Sequence, residues 1–440
     1  MLNLYNSYTK SLEEVELSQD EIKIYLCGPT VQSSPHIGHG RSSVVFDFLI
    51  RYLKYLNHKV LFVRNITDID DKIISKSSEQ GIEFQELANK VMTEFGDVYS
   101  SLNCLTPDKE PKATEYIDEI KEYITQILNK DMAYISESGV YFETSNFTDY
   151  LKLSGRKLDE VISGTRVELQ DDKNAPEDFA LWKFAKEGEP YWDSDWGKGR
   201  PGWHIECSAM INALLGEEID FHCGGNDLIF PHHENELAQS KAAKPNKNFV
   251  KYWLHNGMIN LSGKKMSKSE GNVKILKDYI DEYSGDVMRF YFLRAQYRSP
   301  QEFTEDLLIE SRTTFKKISE FVEESKSAPI DKNLLNIFEA CMGDDLNTPK
   351  LIGEIFIQIN HSVTLEEEEL QNLRSTVRFI FDILGFTFTK VENEKLPKDK
   401  LIKFFEEYKI IFETIEQAMG EFISIREKYR LEREYKIADE

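Results

Sequence analysis

Cysteine is scarce in this 440-residue chain, and its five thiols, Cys27, Cys104, Cys207, Cys223 and Cys341, lie far apart. An odd number of dispersed cysteines is not a disulfide framework and suits a reducing compartment. Long apolar runs are missing too. None approaches the roughly 20 residues that cross a bilayer, and the N-terminus has neither the basic region nor the apolar core of a signal peptide. A soluble, cytoplasmic chain with no membrane partner is expected. Positive charge is also short: 54 Lys and Arg face 77 Asp and Glu, a formal net charge of -23. That balance leaves room for local basic tracks but argues against tight non-specific nucleic-acid binding, so any RNA contact has to be focused. What is present in plenty is length, enough for two to four domains with a sizeable core.

Glycine and proline, sparse after Glu302, gather near the start, in Cys27-Gly28-Pro29-Thr30 and Pro35-His36-Ile37-Gly38-His39-Gly40-Arg41. Ile22, Ile24 and Leu26 alternate with polar neighbours, as in a strand, and Val44-Val45-Phe46 with Phe48-Leu49-Ile50 recur at helical spacing. A strand, a turn and a helix within about 30 residues open a parallel sheet. A helix starting at a glycine-bearing turn aims backbone N–H groups and its positive dipole end at a phosphate. His36 and His39 stand at that position, and Gly38 leaves room for a ligand.

Val60-Leu61-Phe62-Val63 reads as a second buried strand ending in the polar run Asn65 to Lys72, where ligands bind in open α/β sheets. Amphipathic helix follows from about Ser75 to Lys130, broken at Thr106-Pro107 and Pro111. Residues 132–194 read as an insertion of short β-like pieces, and the sheet pattern is expected to resume near Trp203. All five tryptophans lie between Trp182 and Trp253; packing accounts for most, with Trp203 the candidate for a pocket. From Trp203 to Glu236 the chain is dense in His, Cys, Asp and Glu. His232 and Glu236 are four apart on an expected helix and share a face. Cysteine, histidine and glutamate are ligands zinc accepts, so Cys207 with His232 and Glu236 is a candidate metal set, with His233 an alternative to His232. Ser262 to Asn272 form a lysine-rich, Gly-flanked loop able to close over phosphates. Beyond Glu302 the 3.6-residue apolar spacing of Leu351-Ile352, Ile355-Phe356 and Ile359 marks an all-helical domain.

His36-Ile37-Gly38-His39 early and Lys265-Met266-Ser267-Lys268-Ser269 late resemble the two signatures of class I aminoacyl-tRNA synthetases. Within that class, Cys27-Gly28-Pro29-Thr30-Val31, Asn65 to Lys72, Gly202 to Met210, Phe230 to Glu236 and Asp344-Asp345-Leu346-Asn347-Thr348-Pro349 resemble the cysteinyl-tRNA synthetase family over nearly the whole chain. The fold this implies is α/β: a Rossmann-like parallel-sheet catalytic domain split by an insertion, then an all-helical anticodon-binding bundle. The expected divisions are 1–131 and 196–260 for the two catalytic halves, 132–195 for the insertion, 261–301 for the lysine loop and stem-contact region, and 302–440 for the bundle. The chain stops at Glu440, where that family continues into a further small segment, so a shortened last domain is expected.

The resemblance implies a cysteine–tRNA ligase that turns L-cysteine and ATP, with Mg2+, into cysteinyl-adenylate and transfers cysteine to the 3' end of tRNA(Cys). It implies one Zn2+ per chain on Cys27, Cys207, His232 and Glu236, with the substrate thiolate bound to the metal. It places His36, Gly38, His39, Lys265 and Lys268 on the ATP phosphates, Thr67, Trp203 and His222 in the cysteine pocket, and Asp227 on the substrate ammonium group. Cys223 reads as a small residue near the site. A metal that prefers thiolates can reject serine, which a hydrogen-bonding pocket separates poorly from its near-isostere, so no editing domain is needed. A monomer is expected. Two rival readings are a cysteine ligase acting on an amino-sugar acceptor and a zinc-dependent redox or RNA-binding protein without catalysis; the first leaves the helical tail without a purpose, the second both ATP signatures.

Overall fold

The computed structural model describes the chain except residues 18–20, 165–171, 262–263, 266–273, 390–413, 415–416, 418–419, 421, 423, 426–427 and 429–440, and gives backbone only at 162–164 and 264–265. Its first half runs β1 (Asn3–Asn6), β2 (Ser11–Glu14), β3 (Ile22–Leu26), α1 (Ile37–Tyr55), β4 (Val60–Arg64), α2 (Asp71–Gln80), α3 (Phe84–Ser101) and α4 (Ile117–Leu128). Next come β5 (Ala133–Ile135), β6 (Gly139–Phe142), α5 (Leu158–Gly164), β7 (Phe179–Phe184) and β8 (Gly199–Pro201). The second half has α6 (Trp203–Leu215), β9 (Ile219–Gly225), α7 (Glu234–Ala243), β10 (Val250–Asn256), β11 (Ile259–Leu261), β12 (Lys264–Lys265), α8 (Leu276–Tyr283), α9 (Gly285–Leu293) and β13 (Gln301–Phe303). Four helices follow: α10 (Glu305–Glu323), α11 (Lys332–Gly343), α12 (Thr348–His361) and α13 (Glu367–Ile383).

The central sheet has the order β10-β9-β3-β4, and every pair in it is parallel. The chain moves from β3 outward to β4 on one side, and later fills the other side with β9 and β10, so the order reverses between β3 and β9. Open sheets of this kind bind ligands beyond the carboxyl ends of the strands at that reversal. Cys27 follows the end of β3 and Gly225 closes β9, so both stand there.

Helix α1 is buried on nearly all sides, with Val44, Val45, Phe46, Phe48, Leu49 and Ile50 inside. Such a helix belongs in a core, and the reason lies in its neighbours: the sheet on one side and α9 and α13 on the other. Strands β5, β6 and β7 of the insertion join β8, just beyond its expected end, in a separate four-stranded antiparallel sheet, β5-β6-β7-β8. Phe315, Ile318, Phe338, Leu351 and Val377 of α10–α13 share one apolar core with the parallel sheet. Residues Met1–Phe388 make one compact unit; Thr389–Glu440 are a second, with helical backbone at 417, 420, 422, 424–425 and 428.

The expected strand near Trp203 is a helix instead. Trp203 is the first residue of α6, and Gly202 is its extended N-cap. The run Ile205, Ala209, Met210, Ile211 reads equally as buried strand or buried helix, because apolar residues occupy both faces; the sheet resumes at Ile219.

Candidate functional site

A cleft of about 880 Å³ opens at the strand ends, lined among others by Cys27, Gly28, Gly38, His39, Thr67, Trp203, Asp227 and His232. His36, the N-cap of α1, also lines it and has extended backbone (φ -106, ψ 170). The backbone N–H of His36 donates to His39 Nδ1 at 3.1 Å, and the two rings stack with centroids 3.6 Å apart. The first turn of α1 thus presents two imidazoles and its own N–H groups on one side of the cleft. The stretch after the lysine loop is laced to this turn: Ile37 N–H donates to Lys274 O (3.2 Å) and Leu276 N–H to Pro35 O (2.9 Å). Of the loop itself, Lys265 is described in backbone only, in β12, and Lys268 lies outside the described residues.

On the other side of the cleft stand the thiols. Cys27 Sγ lies 3.9 Å from Cys207 Sγ and 3.6 Å from Glu236 Oε1. Cys207 Sγ is 3.5 Å from His232 Nε2, which is 3.0 Å from Glu236 Oε1. These four ligand atoms all fall within 4.8 Å of one another. Zinc bonds of about 2.3 Å to sulfur and 2.0–2.1 Å to nitrogen, in a tetrahedron, put ligand atoms roughly 3.3–3.8 Å apart. The donor set and its spacing fit zinc.

Burial acts on the set in one direction, since it disfavours the charged form of each group. It pushes the Cys27 and Cys207 thiols and the Glu236 carboxyl up, and holds the His232 imidazole well below its ordinary value. A dication gathered by these groups would replace their protons.

Three histidines surround the cluster. His232 Nδ1 is 2.9 Å from His204 Nδ1; for His232 Nε2 to offer its lone pair to a metal, its Nδ1 must carry the proton and donate it to His204. His222 Nε2 meets Glu236 Oε2 at 2.8 Å, and its ring stacks on Trp253 at 4.7 Å. His222 is fully buried behind Glu236 and does not itself line the cleft. His233 Nε2 is 3.3 Å from Cys27 Sγ, and its Nδ1 is 2.8 Å from His255 Nε2. A second grouping, Cys27, His222, His233 and Glu236, therefore also has ligand atoms within 4.8 Å, sharing Cys27 and Glu236 with the first.

Trp203 lines the cleft and stacks on His232 at 4.3 Å. The Thr67 hydroxyl donates to Glu206 Oε2 at 3.2 Å. Asp227 sits beside Gly225, where a Cβ would come within 2.6 Å of its carboxylate. Cys223 belongs to neither metal grouping; its buried thiol is part of the apolar core and is pushed up by that burial. His204, though it lies in the dense stretch from Trp203, was given no role in the sequence, and His255 drew no notice. His204 carried one usable signal, its place three residues before Cys207 on the same helix; His255, at the end of β10, carried none.

Residues 13–313 match the family described as tRNA synthetases class I (C) catalytic domain. A solved structure of Mycobacterium tuberculosis methionyl-tRNA synthetase in complex with methionyl-adenylate superposes with a TM-score of 0.59 at 14% identity, covering 83% of this chain and 90% of that one. The fold is that of a class I aminoacyl-tRNA synthetase. The cysteine–tRNA ligase of Thermodesulfovibrio yellowstonii is 46% identical over 377 residues, 81% of this chain and 77% of its own. That of Pelagibacter ubique is 41% identical over 437 residues, 99% of this chain and 92% of its own. This chain belongs to the cysteine–tRNA ligase family, and it is an enzyme of the ligase class.

Proposed function

We propose that the chain activates L-cysteine with ATP and Mg2+ and transfers it to the 3' end of tRNA(Cys). The observation that carries this reading is the meeting, in one cleft, of two thiols and an imidazole, backed by a buried carboxylate that completes a metal-competent set, with a helix N-terminus bearing two imidazoles. Cys27, Cys207, His232 and Glu236 would hold one zinc, whose contribution when bound is a soft Lewis acid that favours a thiolate over an alcohol.

The reaction is attack of the cysteine carboxylate on the α-phosphorus of ATP. Pyrophosphate leaves and cysteinyl-adenylate forms; a hydroxyl of the terminal tRNA ribose then attacks the adenylate carbonyl and AMP leaves. No side-chain nucleophile enters. The chain positions the reactants and neutralises charge on the phosphates. His36, His39 and the backbone around Gly38 take the triphosphate, with Lys265 and Lys268 closing from the loop. Thr67 and Trp203 shape the cysteine end of the cleft, and His222 acts there through Glu236. Asp227 pairs with the substrate ammonium group, which needs a carboxylate once desolvated. The same reading assigns 1–131 and 196–260 to the catalytic domain, 132–195 to its insertion, 261–301 to the stem-contact region and 302–440 to tRNA recognition, in a cytoplasmic monomer.

The test is ATP–pyrophosphate exchange with cysteine and with serine, before and after chelation. Exchange with cysteine alone, lost on stripping and restored by zinc, is the expected result. No exchange with cysteine in zinc-loaded protein would overturn the reading.

A further inference from the structure

Arg41 brings a positive charge into the interior, and among the described residues no carboxylate meets it. It lies on α1, two residues past His39, and is fully buried. Its guanidinium donates to five backbone carbonyls in two separate segments. Nη1 reaches Gly257 O (3.0 Å) and Met258 O (2.9 Å); Nη2 reaches Gln296 O (3.3 Å), Tyr297 O (3.4 Å) and Ser299 O (2.6 Å). A buried, uncompensated cation is costly, and burial draws this one down to about 10, which leaves it charged at neutral pH. Carbonyl dipoles are its compensation, so the segments that supply them are held where the fork of donors can reach.

Those segments are otherwise tied to each other. Gly257 N–H donates to Tyr297 O at 2.8 Å, and a Cβ on Gly257 would stand 2.2 Å from Ser299 O. The 296–299 turn is gripped from behind by Asp345, which accepts from Tyr297 Oη at 3.0 Å and Arg298 Nε at 2.6 Å.

The other side of Gly257–Met258 faces the cleft, whose wall there runs from Asn256, the end of β10, through Gly257 and Met258 to Ile259, the start of β11. Elsewhere the cleft lining carries the charged Arg64, Asp71, Lys72, Lys76 and Glu79, whereas this wall offers backbone and the apolar Met258 and Ile259, the kind of surface that takes the adenosine base. We infer that Arg41 is a positioning residue for the nucleotide: one helix carries the phosphate ligands at its first turn and, through Arg41, sets the wall against which the adenosine lies. The inference rests on the activity proposed above.

The test is R41K, which keeps the charge and loses the fork, in cysteine-dependent ATP–pyrophosphate exchange. The KM for ATP should rise at least tenfold, while the KM for cysteine stays within twofold and bound zinc is unchanged. A second variant, G257A, pushes the same wall from the side of Ser299 without touching Arg41 and should show the same split; it decides the matter should R41K fail to fold. A folded variant whose ATP KM is unmoved, or whose two KM values rise together, overturns the inference while exchange in the unaltered chain keeps the activity standing. No exchange in the unaltered chain overturns both.

Discussion

At the residue scale the two overlapping metal groupings make a prediction that neither makes alone. Cys27 and Glu236 belong to both, whereas Cys207 and His232 belong to one. Cys27→Ala should therefore abolish zinc binding, while Cys207→Ala retains weakened binding through His222 and His233. Zinc content after dialysis against graded chelator distinguishes them, and equal loss in both variants would show that the second grouping holds no metal. Asp227→Asn removes from the cleft lining the carboxylate that the proposed function pairs with the substrate ammonium group. The KM for cysteine should rise by well over tenfold and the KM for ATP by less than about threefold; a charge-assisted hydrogen bond of roughly 1.5–3 kcal/mol is lost. Equal rises would remove Asp227 from the ammonium site. Three of the four candidate metal ligands, Cys207, His232 and Glu236, were readable in the sequence because a thiol near a His–Glu pair at helical spacing is uncommon chemistry, whereas Cys27 came only from the family resemblance. The supports behind them were not, since a histidine that orients another ligand has no sequence pattern of its own. Arg41 shows the same gap: it stands in a conspicuous motif, yet nothing in the sequence says that its partners lie more than 200 residues away.

At the scale of elements, glycines decide how closely α1 and its neighbours pack. A Cβ at Gly40 would meet Leu276 Cδ2 at 2.5 Å and the Phe292 ring at 3.2 Å, all side-chain atoms. Gly40→Ala should cost about 1–3 kcal/mol, as overpacking does, read as a shift in the urea midpoint with unchanged slope. Because Leu276 is also bonded to Pro35 beside the histidines, exchange activity should fall by tenfold or more even where the protein remains folded. At Gly28 the obstacle is backbone: a Cβ would stand 1.6 Å from the Asn65 carbonyl oxygen. Gly28→Ala should therefore be the worse variant on both measures; a milder effect than Gly40→Ala would contradict this packing. Strands β3 and β4 and the start of α1 were legible from alternation, a bounded apolar run and turn residues. The helical identity of α6 was not, because a segment buried on both faces has no period to read. The partners of the insertion strands were hidden as well, since β6 pairs with β7 across a long sequence gap and only tertiary packing selects that pairing.

For the whole molecule, the formal charge of -23 has to be reconciled with a polyanionic substrate. Acidic and basic residues nearly balance over 389–440, so almost all the excess acid lies in residues 1–388. Two effects of salt then oppose each other. Screening weakens the long-range repulsion between an acidic protein and tRNA, which raises the association rate. The few close lysine and arginine contacts to phosphates weaken with salt, which raises the dissociation rate, at a slope of roughly 0.7–0.9 per phosphate neutralised. A protein steered by a basic face loses association rate steeply as salt rises; this one should not. Between about 50 and 200 mM monovalent salt, the association rate for tRNA(Cys) is expected to stay flat or climb. The logarithm of the affinity should fall with a slope shallower than about 4, equivalent to about four to six phosphate contacts at most. Stopped-flow binding across that range measures both quantities. A steep fall in association rate with a slope beyond about 7 would mean that basic side chains are gathered into an extended track, and that the net charge is no guide to how this chain meets RNA.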